Sequence, residues 1–119
     1  MSEATKQCFK LRETEDVAVV TFTTPNIVED ETIQLMGSQL FRLVDEKNCK
    51  KILVDFSMVK FLSAAALGKL ITLEKKVKGR GSKLELCEVI DPIYEVFAIT
   101  KLNKFFCIEA SMEDGLRAF

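Results

Sequence analysis

Apolar and polar residues alternate from Cys8 to Arg12 and place Phe9 and Leu11 on one face. Val17 to Thr23 is dense in β-branched residues, and the polar stretch Glu13 to Asp16 between the two runs predicts a β-hairpin. Thr24, Pro25 and Asn26 break the second strand. From Asp30 the period changes: Ile33, Met36, Gly37, Leu40, Leu43 and Val44 recur at three- and four-residue spacing, one face of a helix. Asp30 is placed to cap that helix, with Glu29 and Glu31 where its dipole favours negative charge. Asn48, Lys50 and Lys51 close the segment. Ile52, Leu53 and Val54 then form a short continuous apolar run, as in a strand covered on both faces.

A second helix opens near Ser63. Ala66, Leu67, Leu70, Ile71, Leu73 and Val77 form its inner stripe, Lys69, Thr72, Lys75 and Lys76 face water, and Gly79 and Gly81 end it. Leu84 and Leu86 alternate with Glu85 in a further strand. Asp91 before Pro92 reads as a cap with proline at the first helical position, and Ile93, Val96 and Phe97 give that helix its inner face. Phe106 and Ile108 belong to a last strand, and Ser111 with Asp114 forms a capping box for a short terminal helix. The order is ββαβαβαβα, an α/β domain with a mostly parallel sheet. The first strand alone runs antiparallel, because its hairpin connection is too short for a crossover. Residues 1–119 read as a single domain.

The chemistry on this frame is sparse. Seventeen basic against 18 acidic residues give a formal net charge of −1, which argues against a general phosphate-backbone binder. Histidine is absent, so Ser-His-Asp and Cys-His catalysis and histidine-ligated metal sites are excluded. Cys8, Cys49, Cys87 and Cys107 contain no C-x-x-C pair, and each lies in or beside an apolar run; all four are expected to be buried, inert thiols. The first residues lack the apolar core of a signal peptide and no run is long enough to span a bilayer, so the expectation is a cytoplasmic domain with no membrane contact.

Three motifs have plain structural readings. Gly79-Arg80-Gly81-Ser82-Lys83 contains the residue types of a phosphate loop, but it follows a helix and precedes a strand, the reverse of what that loop requires. The basic residues between Lys69 and Lys83 have Glu74 among them and no interleaved aromatics, as on a solvated helix face. Asp55 ends the buried Ile52–Val54 strand, on the edge where open α/β sheets meet ligands and partners, and is expected to hydrogen-bond the loop that follows.

The most informative segment is ILVDFSMVKFLSAAALGKL, from Ile52 to Leu70. A buried strand ends at Asp55, a loop carries Ser57, Phe61 and Leu62 return to the core, and a helix starts at Ser63. Its first turn, Ala64-Ala65-Ala66, is bare of large side chains, which leaves the backbone N–H groups open to approach. This segment resembles the STAS family, the domain shared by bacterial anti-sigma factor antagonists and the cytosolic tails of sulfate transporters. Asp55-Phe56-Ser57, Phe61-Leu62 and Leu67-Gly68 match the family pattern, and element order and length agree over essentially the whole chain. Where that family has Asp-Ser-Ser-Gly, this chain has Ser63-Ala64-Ala65-Ala66. The acceptor hydroxyls implied by the resemblance are therefore missing from Ala64 and Ala65, and Ser63 is the one candidate phosphoacceptor in the tetrad. Glu29 or Asp30 stands near the family's other acidic position.

The resemblance implies a non-enzymatic interaction domain without cofactor or metal: an anti-anti-sigma factor that binds a kinase-fold anti-sigma factor. It implies contact through Ser57, Met58 and Lys60 in the loop and Ser63, Ala64, Ala65 and Lys69 on the helix. Such a protein is expected to be a monomer or weak homodimer and to lack the usual phosphoserine switch. The alternative is a scaffold or sensory-complex STAS domain that associates with itself or with related domains.

Overall fold

The computed structural model describes residues 9–119. A hairpin opens it: β1 (Phe9–Thr14) pairs antiparallel with β2 (Val17–Phe22). Glu15 and Asp16 turn the chain with φ of 50° and 70°, the left-handed pair that a two-residue hairpin matched to strand twist requires. A two-residue strand, β3 (Asn26–Ile27), leads into α1 (Asp30–Asp45). Then follow β4 (Lys51–Asp55), a second two-residue strand β5 (Phe61–Leu62), α2 (Ala64–Gly79), β6 (Lys83–Cys87), α3 (Asp91–Ile99), β7 (Cys107–Glu109) and α4 (Met112–Arg117).

The main sheet runs β1-β2-β4-β6-β7, with every pair after the first parallel. The α/β architecture and its antiparallel first pair are as the hydrophobic pattern predicts. What the pattern misses is the separate parallel pair β3–β5, because two residues are too few to show a period. Thr24, Pro25 and Asn26 do lie beyond the end of β2, and Asn26 itself opens β3.

The main core lies between one face of the sheet and α1, α2 and α3; on the other face Val17, Val19, Leu53 and Cys87 are covered by Met112, Leu116 and Phe119 from α4 and the residues after it. This two-sided cover explains why Ile52, Leu53 and Val54 are all fully buried. Phenylalanines link in sequence through the main core: Phe9 with Phe22 at 6.3 Å, Phe22 with Phe56 at 5.4 Å, Phe56 with Phe97 at 6.5 Å and Phe97 with Phe106 at 5.6 Å.

Several local expectations are corrected. Glu29, not Asp30, occupies the cap position of α1, and its carbonyl accepts the Ile33 N–H at 2.9 Å. Ile90 caps α3, so Asp91 is already helical; Val96 is exposed, leaving Ile93 and Phe97 as the inner face. Phe106 is buried just before β7 instead of within it. Ile71 is only half-buried. Ser111 does cap α4, accepting the Asp114 N–H at 3.1 Å. The glycine-rich turn closes α2 as expected: Gly81 takes φ of 70° and the Ser82 N–H returns to Val77 O at 2.8 Å.

The cysteines do not form one class. Cys87 is buried, Cys49 half-buried and Cys107 exposed, while Cys8 lies outside the described residues. β7 is an edge strand, so a residue expected to pack inside can face water there.

Candidate functional site

Strands β2, β4 and β6 run parallel, so their C-terminal ends form one edge of the sheet, and the loops that follow are gathered there. Asp55 shapes the loop after β4. Its Oδ1 accepts the Ser57 N–H at 2.9 Å and its Oδ2 accepts the Thr21 hydroxyl at 3.4 Å, so this largely buried carboxylate folds the loop as an Asx turn. The Phe56 N–H reaches Cys87 O at 3.0 Å, and the Val59 N–H closes back on Phe56 O at 2.9 Å. Val59 is buried, which leaves Ser57, Met58 and Lys60 on the outside.

The small β3–β5 sheet fixes what comes next. Pro25 O accepts N–H bonds from Lys60 at 2.7 Å and Phe61 at 3.0 Å, and Ile27 O accepts from Ser63 at 3.1 Å. Ile27 turns into the core, while Phe61 turns out and is 64% exposed. That corrects the expectation that Phe61 returns to the core. Pairing with β3 holds this stretch extended, and in an extended chain alternate residues face opposite ways: Leu62 packs inward and Phe61 cannot. With Val28 at 48% and Met58 at 50%, Phe61 makes the edge apolar as well as small. Periodicity missed Phe61, because exposure in a two-residue strand is set by its partner, and Val28, which follows β3 outside any strand or helix.

Ser63 is the N-cap of α2: Oγ accepts the Ala66 N–H at 3.1 Å, and the Ser63 carbonyl accepts the Leu67 N–H at 3.0 Å. Ala64 and Ala65 are exposed and Ala66 is fully buried. Lys69, expected to face water, is half-buried across α1: its Nζ donates to Gln34 Oε1 at 3.3 Å. Its stem lies where a Cβ on Gly37 would come within 2.8 Å of Lys69 Cδ. Ser57, Met58, Lys60, Ser63, Ala64 and Ala65 therefore share one edge, with Lys69 to the side on the α1–α2 seam.

Two further basic residues, Lys76 of α2 and Arg80 just after it, tie α2 to the end of α1. Lys76 pairs with Asp45 at 2.9 Å and Arg80 reaches Asn48 at 2.7 Å, joining the C-terminal ends of α1 and α2. Among the described residues no group of three or more Cys, Asp or Glu is arranged to hold a metal ion, and no helix is long and apolar enough to cross a membrane. Two concavities lie elsewhere: one of about 230 Å³ beside Phe9 and Arg42, another of about 430 Å³ around Lys47 and Lys50. What the edge offers is a shaped, mixed apolar and small-residue surface, with no buried acid–base couple or nucleophile among Ser57 to Ala65.

An exposed helix start fed by a loop at the C-terminal edge of a four-helix α/β domain defines a class, and comparison identifies it. The sequence pattern of the STAS domain matches residues 9–115, and the chain belongs to that family. Its fold is similar to that of an anti-sigma factor antagonist from Mycobacterium paratuberculosis, with a TM-score of 0.82 at 19% identity over 92% of this chain and 91% of the other. A STAS-domain anti-sigma-factor antagonist protein from Planctomyces limnophilus superposes with a TM-score of 0.80 at 18% identity, covering 92% and 95% of the two chains. The Bacillus cell fate determinant SpoIIAA in its phosphorylated form superposes with a TM-score of 0.70 at 13% identity, covering 93% and 99%.

Proposed function

We propose that this domain is an anti-anti-sigma factor that acts by protein–protein contact, binds an anti-sigma factor of the kinase-fold type and so frees a sigma factor. The observation that carries the reading is the edge itself: Val28, Met58 and Phe61 are large and exposed, and next to them the first turn of α2 presents only Ala64 and Ala65. Large apolar side chains exposed together on a small domain mark an interface, and small residues beside them let a partner backbone come close. Ser57, Lys60 and Ser63 supply a polar rim, with Lys69 at its margin. The structural relatives named as anti-sigma factor antagonists support the same reading.

In this proposal the chain has no phosphoserine switch in the tetrad. Alanine at 64 and 65 removes the acceptor hydroxyls, and the remaining Ser63 Oγ is committed to capping α2. The domain is then constitutively competent to bind, and its action is cytoplasmic and non-catalytic.

Capture from the native cytosol tests the function. The wild-type protein should retain a kinase-fold anti-sigma factor, and Ala65→Trp should lose it while its circular dichroism spectrum is unchanged. Equal capture by Ala65→Trp would move the contact surface elsewhere, and capture of related STAS proteins alone would favour a scaffold. One observation speaks for that second reading: Val96 and Ile99, one turn apart, leave α3 with an exposed apolar side, 79% at Ile99.

A further inference from the structure

Glu85 occupies the middle of β6. Its neighbours Leu84 and Leu86 enter the main core, and Glu85 points the opposite way, between Leu53 of β4 and Cys107 of β7. An alternating strand would give such a residue to water, yet Glu85 is only 2% exposed. Its Oε1 has no hydrogen-bond donor. On the same face of the last strand pair stands half-buried Glu109, because Glu85 pairs with Cys107 and Cys87 with Glu109, and the two carboxyls act on each other there.

The surroundings do little to neutralise this pair. From α2 comes Glu74, 3% exposed, which also has an unpartnered Oε1; Lys78 meets only its Oε2, at 3.2 Å. On β6 itself, Lys83 favours the charged carboxylate, but its Nζ also lies 3.5 Å from Ala118 O. Strand β4 offers apolar Leu53 beside Glu85, and the Asp55 oxygens are taken by Ser57 and Thr21. From β7, partial desolvation of the otherwise exposed Cys107, with Glu85 and Glu74, pushes its thiol up, so it is neutral. From α4, Arg117 is spent on Asp114 at 3.7 Å and its side chain is 74% exposed, and Glu113 adds only negative charge.

Two carboxylates that act on each other, one of them buried, are stable only if a proton lies between them. We propose that a proton held by Glu85 and donated to Glu109 is a latch that fastens β7 and α4 to the sheet, and that its loss loosens the segment from Cys107 to Arg117. Burial, followed by the Glu109 charge and hydrogen bond, pushes the Glu85 carboxyl up from 4.5 to about 7, within the range a cell visits. The sign follows from linkage: between those two values the closed segment holds a proton that the opened one has released. Closure is tightest in acid, weakens as pH rises towards 7, and is constant above it. Cover for Val17, Val19, Leu53 and Cys87 then depends on the proton.

Backbone amide exchange, corrected for the intrinsic effect of pH, tests the latch. Opening of β7 and α4 relative to β4 should increase about tenfold per pH unit between roughly pH 5 and pH 7, then level off. Glu85→Gln should abolish that slope. Should Glu85→Gln fail to fold, Glu109→Gln serves, because removing the facing charge should move the levelling-off to lower pH. A flat wild-type profile, a slope that survives in Glu85→Gln, or an unshifted profile in Glu109→Gln would each overturn the proposal.

Discussion

At Ser63, one hydroxyl has two claims on it. It caps α2 at 3.1 Å, and it is the last hydroxyl of the tetrad at which a phosphate could be attached. Capping by serine or aspartate is equivalent, and removal of such a cap costs about 1 kcal/mol. Ser63→Ala should therefore lower the unfolding free energy in urea by roughly that amount, and Ser63→Asp should restore it. Protein from its native host, purified under phosphatase inhibition, should show by intact mass no species heavier by one phosphate. A heavier species lost in Ser63→Ala would make Ser63 a displaced acceptor and give the domain a switch. Ser63 was legible as a cap because serine before a helical period has a local cause. Glu85 was not: its burial comes from β7 and α4, which alternation along β6 cannot register.

The elements differ in how much of their placement is local. The start of α4 was legible from Ser111 and Asp114, but the reason it docks is Gly115. A Cβ there would stand 2.6 Å from Leu53 Cδ1 and 3.1 Å from Cδ2, so the fully buried Leu53 side chain would have to shift among packed neighbours. Exchanging glycine for alanine in a helix ordinarily gains about 1 kcal/mol, whereas forcing a methyl into a packed contact costs about 1–3 kcal/mol. The clash should win. Gly115→Ala is expected to lower stability by about 1 kcal/mol net and to raise amide exchange across α4; a stabilised variant would show that α4 can lift off without cost. At α3 the Asp91-Pro92 signal identified the helix but placed its start one residue late, because proline fits anywhere in a first turn whose N–H groups are unpaired. Strands β3 and β5 exist only through each other, so neither leaves a trace in its own two residues.

Over the whole molecule, the ladder of phenylalanines and the apolar edge divide one residue type between two jobs. Phe56 and Phe61 are five positions apart in the same loop region, and the sequence reading assigns Phe61 to the core. In the fold, Phe56 is fully buried between Phe22 and Phe97, at the point where the loop turns over the end of β6. Phe61 is held outward by its pairing with Asn26. Their truncations should separate stability from recognition. Phe56→Ala removes a buried ring and two edge-to-face contacts, and should cost about 3–5 kcal/mol in urea unfolding. Phe61→Ala exposes nothing and leaves no cavity, so its unfolding free energy should stay within about 0.5 kcal/mol of wild type. If the edge is the contact surface, Phe61 is its largest apolar anchor, and truncating it should cost about 2 kcal/mol or more of binding, close to thirtyfold in affinity. A titration with the captured partner and a urea curve on the same preparation decide the matter. A Phe61→Ala protein as unstable as Phe56→Ala would return Phe61 to the core; a stable variant with unchanged affinity would move the interface away from the C-terminal edge of the sheet.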